Sequence, residues 1–201
     1  MADVYQITIW ARGVVQDMEG RHMSLIMANS ADKDGKFVQA WDDYADLPDR
    51  VGVPLRKYVR ISDEEIEMRY EYENKEPNMV VLMDDTIVKG MNILWGMKKG
   101  GVLVVNSKRS PDEILKFVPN KELLKKVICV DAEHAFSMEG LDFMGSEGGV
   151  EAAAVGAGIS AVIAGAAVHG TDNLTLDSLV AVAANKEGAK EGYEKAVVKD
   201  L

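Results

Sequence analysis

Three short runs of apolar residues constrain most strongly what this chain can fold into. The runs are MVVLMD from Met79, GVLVVNS from Gly101 and KVICVDA from Lys126. Strands that are apolar on both faces are typical of a parallel sheet with helices packed on either side. We predict the intervening helices at residues 87–97 and 112–117, the second one opened by Ser-Pro.

The first part of the chain predicts a strand, a helix and a second strand, at residues 5–10, 20–33 and 36–41. A hairpin is then predicted. Its first strand is residues 55–62, its turn is Asp63-Glu64, and its second strand alternates apolar and charged residues over residues 65–72. Because strict alternation marks a strand with one face in water, this hairpin is placed at or near an edge of the sheet. The fold class predicted is α/β, a mostly parallel sheet flanked by helices on both faces, with an antiparallel hairpin at or near one edge.

The last third of the chain is predicted to be helical. Residues 152–168 carry no charge but fall short of the roughly 20 apolar residues that a membrane span needs. We therefore expect a buried helix with small residues at Ala157, Ala161 and Gly165, and no membrane span. A second helix is expected at residues 174–185, capped by Thr175 or Thr171. The whole chain, residues 1–201, is interpreted as a single domain.

Charge and cysteine content exclude several classes of function. The net charge of −10 argues against binding nucleic acid through a broad basic surface. A single cysteine, Cys129, cannot by itself hold an iron–sulfur cluster or a structural zinc, and it lies in an apolar strand where a thiol is neutral. Since the N-terminus lacks a secretory signal pattern, we expect a cytoplasmic protein.

Polar residues gather where the predicted parallel strands end, at Arg12-Gly13, Asp84-Asp85, Asn106-Ser107 and Asp131. Ligands of open parallel sheets bind at this edge. Asp and Asn at such positions also commonly cap the following helices, and that interpretation stays open.

The turn after the first strand is a poor match to a phosphate-binding loop. A dinucleotide-binding loop needs glycines in the pattern G-x-G-x-x-G. This turn offers only Gly13 and Gly20, with Asp17 and Glu19 between them, and two carboxylates are expected to repel an anion.

Several segments together resemble the gamma subunit, or gamma domain, of the 2-oxoacid:ferredoxin (acceptor) oxidoreductases. The segments are DGKFVQAW, DRVGVPLRKYVRISDEEI and the three apolar strands. The most specific stretch matches the family pattern R-G-x-P-V-R-x-x-V-R-I with Arg50, Gly52, Pro54, Arg56, Arg60 and Ile61. In the family, the first strand runs into G-R-G-G-Q-G-V; here Arg12 and Gly13 remain, but the other glycines are replaced.

The resemblance implies a subunit of a thiamine-diphosphate enzyme that oxidises pyruvate or a related 2-oxoacid, not catalytic by itself. Thiamine diphosphate, magnesium and iron–sulfur clusters would belong to partner alpha, beta and ferredoxin-like delta subunits. Coenzyme A (CoA) would be received near the first turn. The residues implied in binding are Arg12, Gly13, Arg50, Gly52, Pro54 and Arg56, although the arginines could instead pair with acidic residues at a subunit contact.

Three alternatives stay open. The complex could use CoA through other contacts. It could handle a 2-oxoacid such as oxalate, whose oxidation needs no CoA. The chain could also be a stand-alone module that binds a nucleotide or CoA.

Overall fold

The computed structural model describes residues 3–43, 52–68, 71–132 and 159–201. Within them, seven strands form one sheet: β1 (Tyr5–Arg12), β2 (Phe37–Asp42), β3 (Pro54–Ser62), β4 (Met79–Leu82), β5 (Gly101–Asn106), β6 (Leu124–Val130) and β7 (Val197–Asp200). The α-helices are α1 (Gly13–Lys33), α2 (Pro111–Leu115), α3 (Ser160–Ala167), α4 (Leu176–Val182) and α5 (Lys186–Lys195).

The strand order is β2-β3-β1-β4-β5-β6-β7. Strands β1, β4, β5 and β6 form a parallel centre, while β3 pairs antiparallel with both β1 and β2, and β7 pairs antiparallel with β6. Strands β2 and β3 follow one another in the chain and lie at one edge as an antiparallel hairpin. The predicted fold class is confirmed.

Two apolar cores lie on opposite faces of the sheet. One core is formed by alternate strand residues with α1, α3, α4 and α5, and includes Ile9, Val59 and Val104. The other lies beneath residues 87–97 and 111–124 and includes Leu82, Leu103 and Val105. Because both faces are covered, β4 and β5 consist entirely of buried residues, which explains their unbroken apolar runs.

The helix predicted at residues 87–97 is wrong. A short 3₁₀ helix, Asp85–Val88, is followed by turns in which Gly90 and Gly96 have φ of 89° and 79°. A Cβ atom at Gly96 would lie 2.0 Å from the carbonyl oxygen of Lys75. Left-handed glycines end a helix, so the apolar residues here form a tightly turned cover over the sheet.

The second hairpin strand predicted over residues 65–72 is also wrong. Its described residues are irregular, and Arg69 and Tyr70 lie outside the described residues. Met68 and Tyr72, two of the alternating apolar residues of this segment, are 61% and 96% exposed. The chain instead uses Glu71 to pair with the buried Arg60 of β3, so a charged contact rather than strand pairing holds this segment.

The C-terminal helices largely match prediction. The Thr175 hydroxyl caps α4 by accepting the Ser178 backbone N–H at 3.3 Å. All of α3 is buried, and a Cβ atom at its Gly165 would lie 2.0 Å from the carbonyl oxygen of Ala189 in α5. Ala157 lies outside the described residues. No helix in the described ranges is long and apolar enough to cross a membrane.

Candidate functional site

The carboxyl end of β1 and the start of β3 form one corner of the sheet. Arg12 is the Cα partner of Pro54, and Trp10 is the partner of Arg56. The structure therefore brings together residues that two separate segments of sequence predicted for a site. Gly52 lies two residues before Pro54, whereas Arg50 falls outside the described residues.

Arg12 differs from the other arginines that the structure describes. Its Nη1 donates to the Thr86 hydroxyl at 3.1 Å, and it forms no ion pair with a described residue. Every other described arginine has a carboxylate partner: Arg21 with Asp42, Arg56 with Asp43 and Glu73, Arg60 with Glu71, and Arg109 with Asp85. The Nε of Arg12 is buried and has no acceptor among the described residues. Its positive charge is therefore available to an anion.

Helix α1 begins immediately after Arg12. Gly13 has φ of 78°, a left-handed conformation that glycine adopts without strain. The Arg12 side chain does not cap this helix end, and the first turn contains no acidic residue. The Gln16 side chain accepts the backbone N–H of Arg12 at 3.1 Å, so it is the N–H groups after Arg12, with the positive end of the helix dipole, that suit an anion.

The two carboxylates expected to repel an anion here are both engaged inside the protein. Asp17 pairs with Lys57 of β3, and both side chains are buried. Glu19 accepts the backbone N–H of Ser160 at 3.1 Å, at the start of α3. Because Asp17 is neutralised by its lysine, the negative charge that the sequence suggested at this turn is largely compensated.

Arg56 is surrounded by acidic and aromatic groups. Its Nε donates to Asp43 at 2.9 Å and its Nη1 to Glu73 at 2.7 Å. Its guanidinium lies 5.4 Å from the ring centre of Trp10. Burial acts to lower the pKa of Arg56, but the hydrogen bonds and charges of its partners outweigh burial and raise it above the ordinary value. A ligand-binding role for Arg56 stays a prediction, and it would require competition with two carboxylates.

Trp10 and Thr86 are residues of this corner that the sequence interpretation missed. Trp10 is 8% exposed, and its indole N–H has no acceptor among the described residues. Since it lies two positions before Arg12 on a strand, both side chains are on the same face. That spacing was visible in the sequence. Thr86 could not be found in this way, because it reaches Arg12 from the turn after β4.

The other polar residues at the strand ends hold the loops together. Asp84 accepts the Thr86 backbone N–H at 2.8 Å. Asn106 donates to the Met83 carbonyl at 3.2 Å and accepts from the Ala132 N–H at 3.0 Å. The capping interpretation therefore holds for Asp84, whereas Asn106 links the ends of neighbouring strands and Ser110 caps the helix that follows it.

Neither a metal site nor a reactive cysteine is found in the described parts of the chain. No three His, Cys, Asp or Glu side chains there lie close enough together to hold a metal ion. Burial raises the pKa of the Cys129 thiol to about 12, with a smaller contribution from Asp85. A thiol with this pKa is neutral near pH 7 and a weak nucleophile.

The comparison with protein families gives a match over most of the chain. The model described as "Pyruvate ferredoxin/flavodoxin oxidoreductase" matches residues 21–197. The match begins inside α1, so β1 and the turn at Gly13 lie before it.

Relatives with similar sequences carry related descriptions. The "Pyruvate/ketoisovalerate oxidoreductases common subunit gamma" of Thermococcus kodakarensis is 33% identical over 107 residues, which is 53% of this chain and 55% of the relative. The "Pyruvate synthase subunit PorC" of Thermotoga maritima is 36% identical over 107 residues, 53% of this chain and 51% of the relative. The chain thus spans about half the length of the curated relatives that it matches.

Solved structures share the fold along the whole chain. Subunit PORC of pyruvate oxidoreductase from Thermotoga maritima superposes with a TM-score of 0.72 at 22% identity, covering 98% of this chain and 99% of that one. The gamma subunit of a keto/oxoacid ferredoxin oxidoreductase from Geobacter sulfurreducens has a TM-score of 0.64 at 20% identity, with coverage of 96% and 97%. At these identities the likeness shows the fold.

Proposed function

Since this chain belongs to the pyruvate ferredoxin/flavodoxin oxidoreductase family, we propose that it is the gamma subunit of a heteromeric 2-oxoacid:acceptor oxidoreductase. In that complex it supplies one wall of an anion-binding site and a scaffold for assembly. It is not catalytic by itself. The sequence similarity to gamma and PorC subunits supports this proposal.

The observation that carries the site is that Arg12 has no carboxylate partner among the residues that the structure describes. Its guanidinium donates a hydrogen bond to the neutral hydroxyl of Thr86, whereas the other described arginines form ion pairs with carboxylates. Charged hydrogen-bond donors without a partner are costly to bury, so an anion that accepts from Arg12 gains affinity. The first turn of α1 adds backbone N–H groups at the same corner.

CoA fits this donor set as a co-substrate, because its phosphates are strong acceptors. Arg12 would pair with a phosphate oxygen, and the backbone N–H groups after Gly13 would donate hydrogen bonds to a second one. The Trp10 indole N–H, which lacks a described acceptor, is the third candidate donor. Gly52 and Pro54 would shape the facing edge of the site, with Pro54 fixing φ.

The redox cofactors are assigned to partner chains in this proposal. Thiamine diphosphate with magnesium, and iron–sulfur clusters, would be held by the alpha, beta and ferredoxin-like delta subunits, where they carry the decarboxylation and electron transfer. The single cysteine of this chain is buried in β6 and is not a cluster ligand set.

One observation favours a CoA-independent relative as the second candidate. Val14 and Val15 stand where the resembling family has glycines, which departs from the glycine pattern that pyrophosphate binding needs. In such a complex, for example one that oxidises oxalate, Arg12 would face a carboxylate rather than a phosphate.

Purification of the chain from its native host under mild conditions tests the proposal. The expected result is a complex containing larger chains, with iron–sulfur absorbance and bound thiamine diphosphate. Adding each of several 2-oxoacids, with and without CoA, then separates the two candidates. An active enzyme made of the 22 kDa chain alone would contradict both.

A further inference from the structure

Positive charge is concentrated in one part of this acidic chain. Residues 86–130 contain nine Lys and Arg but three Asp and Glu, a net charge of +6. Because the whole chain has a net charge of −10, all the other residues together carry −16. The basic residues are therefore concentrated in one stretch of the sequence, residues 86–130, which the overall composition does not explain.

Two segments of this basic part lie side by side on one face of the sheet. Residues 87–97 and 111–124 both pack onto the apolar core that includes Leu82 and Leu103. Lys89 from the first segment lies 5.1 Å from the ring centre of Phe117 in the second. The backbone N–H of Gly100, three residues after the first segment, donates to the carbonyl of Leu123 at 2.9 Å. This hydrogen bond links the C-terminal ends of the two segments.

Five lysines in these segments or directly after the first of them are exposed: Lys89, Lys98, Lys99, Lys116 and Lys121. We call them, together with Trp95 and Phe117, the basic surface. Lys98 pairs with Glu76 at 2.6 Å. Two acidic residues of the second segment make contacts outside the basic surface: Asp112 pairs with Lys199, and Glu113 forms a capping box with Ser110. Glu122 is the remaining carboxylate of the two segments.

The basic surface also exposes aromatic side chains. Trp95 is 70% exposed and Phe117 is 43% exposed. A shallow depression of about 500 Å³ is lined by residues of both segments, including Met91, Lys116 and Phe117. Exposed aromatic residues next to a recess are typical of protein–protein contacts, where an apolar side chain of the partner enters and the charged rim selects the partner.

We propose that the basic surface docks an acidic protein surface of a partner subunit in the oxidoreductase complex. This inference rests on the proposed function. Opposite charge on the partner speeds encounter and fixes orientation, and burial of Trp95 and Phe117 supplies the apolar contact. The occupant is a protein rather than a nucleic acid, because the strongly negative remainder of the chain repels a long polyanion.

Lysine acetylation of the native complex and of the free chain, read by mass spectrometry, tests this surface. Lys89, Lys99 and Lys116 are expected to be acetylated several-fold more slowly in the complex than in the free chain. Lys33 and Lys186 are the matched controls, since both are exposed and lie on helices α1 and α5, on the opposite face of the sheet. Their acetylation is expected to be unchanged.

A charge-reversal pair gives an independent measurement in the reconstituted complex. Lys89→Glu/Lys116→Glu is expected to weaken assembly by at least about tenfold in low salt, because like charges then face one another. Lys33→Glu/Lys186→Glu changes the net charge equally and is expected to assemble like the unmodified chain.

The outcomes separate this inference from the proposed function. A complex in which the three lysines are acetylated as fast as in the free chain overturns the docking surface while the gamma-subunit assignment stands. Protection of the same lysines in a salt-sensitive oligomer of the free chain identifies a second copy as the occupant, which also overturns it. Recovery of the native chain without any partner overturns the proposed function and this inference with it.

Discussion

Arg12 and Pro54 face each other as Cα partners across the antiparallel pair of β1 and β3. This pairing places a cation that has no carboxylate partner in the described parts of the chain against a residue whose φ is fixed. Gly13 continues from Arg12 directly into α1. The corner thus combines this guanidinium, a helix N-terminus and a stiff facing strand, which together can position an anion.

Arg12→Ala is expected to raise the CoA concentration needed for half-maximal rate in the assembled enzyme. Hydrogen bonds to charged groups contribute about 1.5–3 kcal/mol, equivalent to roughly a tenfold to hundredfold change. Stability of the chain should change little, because the hydrogen bond that the Arg12 side chain makes to the described residues is to the neutral Thr86 hydroxyl. Arg21→Ala, which breaks an exposed pair with Asp42, is the control. If the CoA dependence of Arg12→Ala is unchanged, Arg12 does not bind CoA, and this corner of the sheet serves only as a scaffold.

Asp17→Asn is expected to lower the free energy of unfolding by about 3–5 kcal/mol, because it leaves the charge of Lys57 buried without its partner. The double variant Asp17→Leu/Lys57→Met should recover most of this loss, since it removes both buried charges. Urea unfolding measures both. Lys190→Met, in the exposed pair with Glu187, should cost no more than about 1 kcal/mol. If Asp17→Asn loses no more stability than Lys190→Met does, the interpretation of Asp17 and Lys57 as a buried ion pair is refuted.

Gly192→Ala is expected to destabilise the chain by about 1–3 kcal/mol or more. A Cβ atom there would lie 1.9 Å from the carbonyl oxygen of Val162, so α3 and α5 would have to separate. Gly20→Ala in α1 is the matched control, because its nearest neighbour is the flexible Met83 side chain at 3.3 Å. Thermal unfolding of both variants checks this. Equal stability would mean that the α3–α5 contact is looser than the structure shows.

Stability should fall in acid partly through Glu71. A hydrogen bond from Arg60 holds the pKa of Glu71 below its ordinary value of 4.5, with a smaller contribution from Lys75. Because the folded pKa is the lower one, this stabilisation is present above the unfolded value and is lost as the pH falls through the folded value.

Glu71→Gln should therefore be less stable at pH 7 and lose less stability below about pH 4.5 than the unmodified chain. Urea unfolding at a series of pH values measures this difference. Glu187→Gln, at an exposed carboxylate, should give a curve parallel to that of the unmodified chain. An equally parallel curve for Glu71→Gln would contradict the assignment.

The local sequence pattern predicted secondary structure correctly where buried residues recur at regular positions along the chain. The apolar runs of β4, β5 and β6 predicted the parallel centre of the sheet, Ser110 was placed correctly at a helix start, and of the two predicted caps Thr175 and Thr171 the structure has Thr175. The pattern failed at residues 87–97 and 65–72. There, two left-handed glycines and a charged contact to Arg60 decided the backbone, and neither has a periodic signal.

The candidate site was predicted only in part, for a similar reason. Its candidate members on β1 and β3 were implied by the family resemblance of their own segments, but Thr86 reaches Arg12 from a distant turn. The sequence also suggested that Asp17 and Glu19 would repel an anion. Their partners, Lys57 and the start of α3, are far away along the chain, so only the folded structure reveals them.

The amino-acid sequence by itself determined that this chain forms an α/β sheet covered on both faces, because burial on two sides requires unbroken apolar strands. It also determined the charge segregation, since charges are counted residue by residue. The tertiary structure decided which charges remain unpaired. Pairing depends on side chains that are distant in sequence and meet only when the sheet brings β1, β3 and α1 together, and that meeting left Arg12 without a described carboxylate partner.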